Sequence, residues 1–244
     1  MPPPTAYMLC TSPRSGSTLM CAMLRDSGVA GHPKSYFHKP SLADWRAGLD
    51  LAPDTSRADI FTEATRKGRG GTDIFGLRLQ RHSAPFFFGQ LRDLHPDAAT
   101  DADAITAQFG PTHYIYLHRA DKVAQAVSLV RARQSGLWHR NADGSELERT
   151  APAQDPHYDP VAIAQEVATL QIYDAEWETW FTSQNLTPLR LDYDNLSADP
   201  SSTLAQTLSY LGLPPGAPPR PAVAKLSDDI SATWIARFKA DTLA

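Results

Sequence analysis

The chain has 244 residues, 42% of them hydrophobic and 20% charged, with a formal net charge of −4, 20 prolines and two cysteines. That much apolar material supports one continuous core and excludes a disordered or fibrous protein. The mild acidity excludes a general nucleic-acid binder, which needs a basic stripe, so any anion must be held locally.

The opening M-P-P-P-T-A-Y-M-L-C lacks the basic segment and long apolar stretch of a secretory leader, and no apolar run reaches the roughly 18 residues of a membrane span. A cytoplasmic protein without stable membrane insertion is expected. Cys10 and Cys21 are too few for a disulfide framework and read as reduced, packed thiols, and no Cys/His cluster has zinc-site spacing, so no metal is expected. Ala6 to Cys10 is a short apolar run, followed by the turn-rich T-S-P-R-S-G-S-T and a helix-periodic stretch, Thr18 to Asp26, with Gly28 placed to end it. This reads as strand, loop, helix.

Phe75 to Leu79 (F-G-L-R-L) is a second strand and Thr112 to Leu117 a third, rich in the β-branched and aromatic residues that buried parallel strands favour. Phe86, Phe87 and Phe88 between them read as core or subunit contact rather than as a substrate surface. Asp121 suits an N-cap for a helix whose Val123, Val127 and Val130 recur at helical spacing. Residues 161–182 read as a long helix with Trp177 and Trp180 on its packing face, Leu189 to Leu191 as a further strand, and 199–212 as a turn and helix. Prolines 214 to 221 form a linker to a C-terminal helical segment around Trp234 to Phe238, all within a single domain, 1–244. Alternating strands and helices predict an α/β fold, three layers with a central parallel sheet, and ligands beyond the carboxyl ends of its strands.

The loop after the first strand carries the strongest chemical signal. Unpaired N–H groups at a helix start, small hydroxylated residues and Gly16 make an oxyanion cradle, with Arg14 as the loop's one cation. A nucleoside-triphosphate loop would be G-x-x-x-x-G-K-[ST]; here Ser17 stands where the lysine would, and Thr11 where the first glycine would. A phosphate-like group remains the expected ligand, as a sulfuryl or phosphoryl donor without required magnesium. The third strand ends in His118-Arg119, and Ser128 lies about two turns into the next helix, so a charged fork and a hydroxyl can share a second phosphate.

Together, P-R-S-G-S-T-L, H-R-x-D-K-V-x-Q-A-V-S and L-D-Y-D-N-L-x-x-D-P resemble the sulfotransferases that use 3′-phosphoadenosine 5′-phosphosulfate (PAPS), above all the bacterial trehalose 2-sulfotransferase family. G-V-A-G at 28–31, W-x-x-W-F at 177–181 and W-I-A-R-F at 234–238 extend the resemblance over nearly the whole chain. It implies the P-loop-like sulfotransferase fold, PAPS as co-substrate, a sugar or glycolipid acceptor and a homodimer. By position it implies that Arg14, Ser15, Gly16, Ser17 and Thr18 hold the 5′-phosphosulfate, and Arg119 and Ser128 the 3′-phosphate. The Asp192 to Pro200 motif is implied to be structural, packing beside the nucleotide.

The family places two glutamates just after G-V-A-G, the second resembling its general base. His32 and Ser35 stand at those positions here. A histidine is suited to proton abstraction near neutral pH and a serine is not, so His32 is the expected base, with His38 second. Arg78 matches a basic position of the family and is expected to stabilise the sulfuryl group or bind acceptor oxygens. Ser35, Tyr36, His38 and Trp138, with Phe37, Lys39, Trp45 and Arg131 nearby in type, are expected to meet a sugar. Two other readings stay open: a P-loop small-molecule kinase and a non-catalytic binder of PAPS or of adenosine 3′,5′-bisphosphate (PAP).

Overall fold

A computed structural model describes residues 4–140, 143–218 and 228–242. Its strands are β1 (Ala6–Thr11), β2 (Phe75–Gln80), β3 (Thr112–His118), β4 (Leu137–Arg140), β5 (Glu146–Arg149) and β6 (Leu189–Asp192). The helices are α1 (Ser17–Asp26), α2 (Leu42–Leu49), α3 (Arg57–Arg69), α4 (Ala84–Leu94), α5 (Asp101–Phe109), α6 (Lys122–Ser135), α7 (Pro160–Ser183), α8 (Tyr193–Ala198), α9 (Pro200–Tyr210) and α10 (Asp229–Asp241).

Four strands form one parallel sheet in the order β2-β1-β3-β6. Because side chains alternate along a strand, β1 serves two cores at once. Ala6, Met8 and Cys10 join Phe75, Leu77, Tyr114 and Tyr116 in a cluster closed by α2 to α5 and by Trp177, Trp180 and Phe181 of α7. On the opposite face Tyr7 and Leu9 meet Met20, Leu24, Leu196, Leu204 and Leu208 of α1, α8 and α9. The expected three layers are present. A third cluster joins α6 and α7 to Trp234 and Phe238 of α10. Phe87 and Phe88 are core residues with Phe86 packed against them, as expected.

The chain leaves β1 toward β2 and then crosses to β3 on the other side, so the strand order reverses between β1 and β3. In open parallel sheets the loops at that reversal splay apart at the carboxyl end and leave a crevice. The loops after β1 and after β3 are therefore the two that face one another.

Several elements differ from the sequence reading. The D-Y-D-N-L segment, given no element in the sequence reading, opens a short helix, α8, capped by Asp192, which accepts from Asp194 N. Residues 42–109 hold four helices that were not anticipated; their apolar positions are interrupted by charged and glycine residues, as in α3 (R-A-D-I-F-T-E-A-T-R-K-G-R). The antiparallel β4–β5 hairpin was also not anticipated. The linker's residues 219–221 lie outside the described residues, whereas 214–218 are irregular coil. Among the described residues, no helix is long and apolar enough to cross a membrane.

Candidate active site

The crevice opens into a cleft of about 1630 Å³ lined by the β1 and β3 loops, α1, α6, the end of β2, and the β4–β5 hairpin. Its floor is the loop from Ser12 to Gly16. Arg14 and Gly16 both take left-handed backbone, at φ 63° and φ 86°. Alternation of that kind turns successive N–H groups toward one point and makes an anion-binding concavity.

Gly16 is the N-cap of α1 and offers no side chain to the first N–H groups of the helix, and no acidic residue stands in its first turn. By contrast α6, α7 and α10 each begin at an aspartate whose carboxylate takes a backbone N–H. The start of α1 thus keeps its positive end free for an external anion. A Cβ at position 16 would come within 2.7 Å of the Tyr193 ring, so glycine is required by packing as well as by φ.

The β3 loop supplies a different device. Arg119 lies with its guanidinium 4.3 Å over the Tyr193 ring, and its buried Nε has no hydrogen-bond partner among the described residues. A buried, unpaired charged donor is costly unless an anion completes it. Burial lowers the pKa of Arg119, with Tyr193 and Asp121 acting in the opposite direction. Arg14 is pushed down to about 10, first by burial and then by the nearby Arg119. Two like charges held this way attract a multiply charged ligand.

The two expected cradles share a wall. Arg14 Nε donates to Ser128 Oγ at 3.0 Å and its Nη1 donates to the Trp138 carbonyl, so Arg14 spans the gap between the β1 loop and α6. Gln125 of α6 is fully buried and donates to Ser12 Oγ (3.1 Å) and the Pro13 carbonyl (2.7 Å), holding the loop from below. Trp177 Nε1 donates to the Thr11 carbonyl at 2.9 Å, which fixes the loop from the other core.

Ser17 and Thr18 line the cleft, whereas the Ser15 side chain is buried and hydrogen-bonds the Thr11 hydroxyl, leaving only its backbone to the ligand side. Arg78 reaches the same place from β2. Its Nε donates to Ser35 Oγ at 2.8 Å and its Nη1 to Thr18 Oγ1 at 2.9 Å. Ser35, Arg78 and Thr18 therefore form one chain of polar groups across the cleft wall.

His32 is not part of it. Gly31, at φ 68°, turns the chain so that the His32 backbone bonds the Gly68 carbonyl at 2.7 Å and the imidazole is exposed outside the cleft. Tyr36 is likewise outside: its hydroxyl donates to the His32 carbonyl (2.8 Å) and its ring packs toward Phe75. Phe37 and Trp45 are core residues, packed edge-on and tilted in one aromatic cluster with Phe61. His38, Lys39, Arg131 and Trp138 do line the cleft. Arg131 is tied to Asp228 and Ser231 at the start of α10, and Trp138 Nε1 donates to Thr150 Oγ1 at 2.9 Å.

Residues that sequence reasoning did not single out complete the wall. His139 of β4 places Nε2 3.1 Å from Thr18 Oγ1 and 3.5 Å from Glu148 Oε2 of β5. His82 meets His38 edge to face at 5.0 Å between ring centroids. Burial, then Arg14 and Arg78, push His139 down to about 3, and burial followed by His38 pushes His82 to about 4. The one available signal for the hairpin was Asp143-Gly144 between two short segments, a dipeptide suited to a tight strand reversal.

The sequence model of the Stf0 sulphotransferase family matches residues 6–241. A trehalose 2-sulfotransferase from Mycolicibacterium smegmatis is 30% identical over 98% of this chain and 96% of its own length. Another from Mycobacterium tuberculosis is 27% identical over 96% and 94%. Among solved structures, a sulfotransferase from Alicyclobacillus acidocaldarius is similar at 14% identity and TM-score 0.49, over 98% of this chain and 96% of that one. A family match spanning the sheet, both anion-facing loops and the C-terminal helix leaves one conclusion: the chain belongs to the Stf0 sulphotransferase family.

Proposed function

We propose that this sulfotransferase takes its sulfuryl group from PAPS and passes it to a hydroxyl of a carbohydrate or glycolipid, releasing PAP. The observation that carries the donor assignment is the pairing, in one cleft, of an uncapped helix start at Gly16 with the buried, unpartnered Nε of Arg119. PAPS has two separated anionic ends and these are two anion devices of different kind. The residues fit: the β1 loop and the α1 N–H groups suit the 5′-phosphosulfate, and Arg119 with Ser128 suits the 3′-phosphate.

Transfer requires donors that absorb charge on the sulfuryl oxygens and on the leaving phosphate, alignment, and a proton acceptor near the attacking hydroxyl. Arg14 and the loop N–H groups can serve the leaving phosphate. Arg78, held between Ser35 and Thr18, stands where it can face the sulfuryl oxygens. The sugar acceptor is favoured by the names of the two relatives and by the polar wall of the cleft, where His38, Ser35 and Trp138 offer hydrogen-bonding groups and one aromatic face.

A kinase reading is opposed by Ser17, which puts a neutral hydroxyl where a nucleotide kinase needs a lysine. The test is titration calorimetry with PAP and with ATP plus magnesium, followed by incubation with sulfur-labelled PAPS and a panel of sugars beginning with trehalose. Tight PAP binding and label on a sugar are expected. Binding of ATP in preference to PAP overturns the reading, and PAP binding with no transfer to any sugar identifies a binding protein.

A further inference from the structure

The cleft holds a histidine that neither the motifs nor the family match assigns. Resting on the reading above, we propose that His139 takes the proton from the acceptor hydroxyl and becomes competent to do so only once the donor's anionic groups lie against Arg14 and Arg78. The geometry points to it in three ways.

First, His139 is at the chemical centre of the cleft. Thr18, one residue into α1 beyond the loop, is its neighbour at 3.1 Å, and Arg78 bonds that same hydroxyl. Since Thr18 Oγ1 accepts from Arg78, its own proton is free to point at Nε2. The Thr18 hydroxyl thus stands toward the imidazole as an acceptor hydroxyl would, and a ligand that engages Thr18 vacates that place.

Second, Glu148 lies 3.5 Å away on the paired strand, with the rest of its side chain half exposed at the cleft. A carboxylate beside an imidazole stabilises the imidazolium that proton uptake creates. The same carboxylate also acts on His38, raising its pKa against the larger lowering effects of burial and Arg78.

Third, the charged groups facing His139 are Arg14 from the β1 loop, Arg78 from β2 and Glu148 from β5. Burial first, and then the two guanidinium groups, disfavour a third positive charge on the ring, and the ring stays neutral. A donor carrying several negative charges against those guanidinium groups removes the repulsion. An opposite charge within about 4–6 Å moves a pKa by roughly 1–3 units, enough to bring a desolvated imidazole back toward its working range. The base would then be switched on by donor binding.

In the step itself the acceptor oxygen forms a bond to sulfur while the bond from sulfur to the bridging oxygen of PAPS breaks. The electron pair leaves on the phosphate of PAP, and the hydroxyl proton ends on His139. Nothing is oxidised or reduced.

Two measurements test this on the full chain. Nitrogen-15 histidine spectra between pH 5 and 7, with His139→Gln assigning the resonance, should show a ring that stays neutral in the free protein and takes up a proton near pH 6 with saturating PAPS and no acceptor. A ring whose state is the same with and without bound PAPS overturns the proposal while leaving the donor assignment intact; failure of the wild type to bind PAPS overturns both. In sulfuryl transfer from PAPS to trehalose, or to water, His139→Gln should lose about 10²-fold in kcat, as loss of a general base does, with PAP affinity within about threefold of wild type and the acid limb of the pH profile abolished. Turnover of His139→Gln within about threefold of wild type, or a full loss in Glu148→Gln with His139→Gln unaffected, overturns it.

Discussion

The loops after β1 and β3 sit side by side at the same edge of one sheet, yet they meet an anion by opposite means. The β1 loop spends its backbone: left-handed turns at Arg14 and Gly16 and an uncapped α1 aim N–H groups outward. The β3 loop satisfies its backbone internally, with Asp121 accepting from Ala124 N at 2.9 Å, and leaves the ligand to side chains, Arg119 and Ser128. The first device is rigid and indifferent to which oxyanion arrives. The second depends on one fork held flat on one tyrosine ring, and so discriminates.

That contrast breaks first at Arg119. Arg119→Met should weaken PAP by about 10²-fold or more, since a buried charge-assisted contact to phosphate is worth several kcal/mol, while adenosine 5′-phosphosulfate, which has no 3′-phosphate, changes by less than about threefold. Equal losses for both ligands in calorimetry would mean that the two loops do not divide the work. Gly16→Ala is the reciprocal test. The new Cβ meets Tyr193 at 2.7 Å and left-handed backbone costs an alanine about 1 kcal/mol, so both ligands should weaken by about tenfold and the melting temperature should fall by a few degrees. Retention of wild-type affinity for adenosine 5′-phosphosulfate would remove the backbone cradle from the account.

Smaller effects sharpen it. Ser128→Ala removes one hydroxyl and should weaken PAP by roughly three- to tenfold; because that hydroxyl also accepts from Arg14 Nε, adenosine 5′-phosphosulfate should weaken too, by a smaller factor. Asp121→Ala should cost about 1 kcal/mol in denaturant unfolding through loss of the helix cap, with PAP affinity nearly unchanged, because that carboxylate serves the helix and not the ligand. A large loss of affinity in this variant would show that the capped start of α6 takes part in binding after all.

The difference between the loops also explains what was legible in the sequence. Backbone devices leave local marks: a glycine, a proline and hydroxylated residues between an apolar run and a periodic stretch read directly as strand, cradle and helix, and Asp121 read directly as a cap. Side-chain devices assembled across the fold leave none. His139 is 121 residues from the Thr18 hydroxyl it approaches, and Glu148 comes from the far strand of a hairpin. Tyr193 was read as part of a structural motif, yet it is the platform on which Arg119 lies. His32 stands apart for the converse reason: its type and place in the motif suggest a base, but after the left-handed Gly31 its ring is exposed outside the cleft.

The mutual bonds among Arg14, Ser128, Arg78, Ser35 and Thr18 carry one more consequence. These donors are already partnered with one another, so along this wall a ligand exchanges partners, whereas at the α1 start and at Arg119 Nε it makes new bonds. Where the bond count stays nearly constant, little net enthalpy comes from hydrogen bonding and binding leans on the meeting of opposite charges. Recognition in this cleft therefore behaves like ion exchange: selective for the number and spacing of negative charges, and steeply weakened as salt rises.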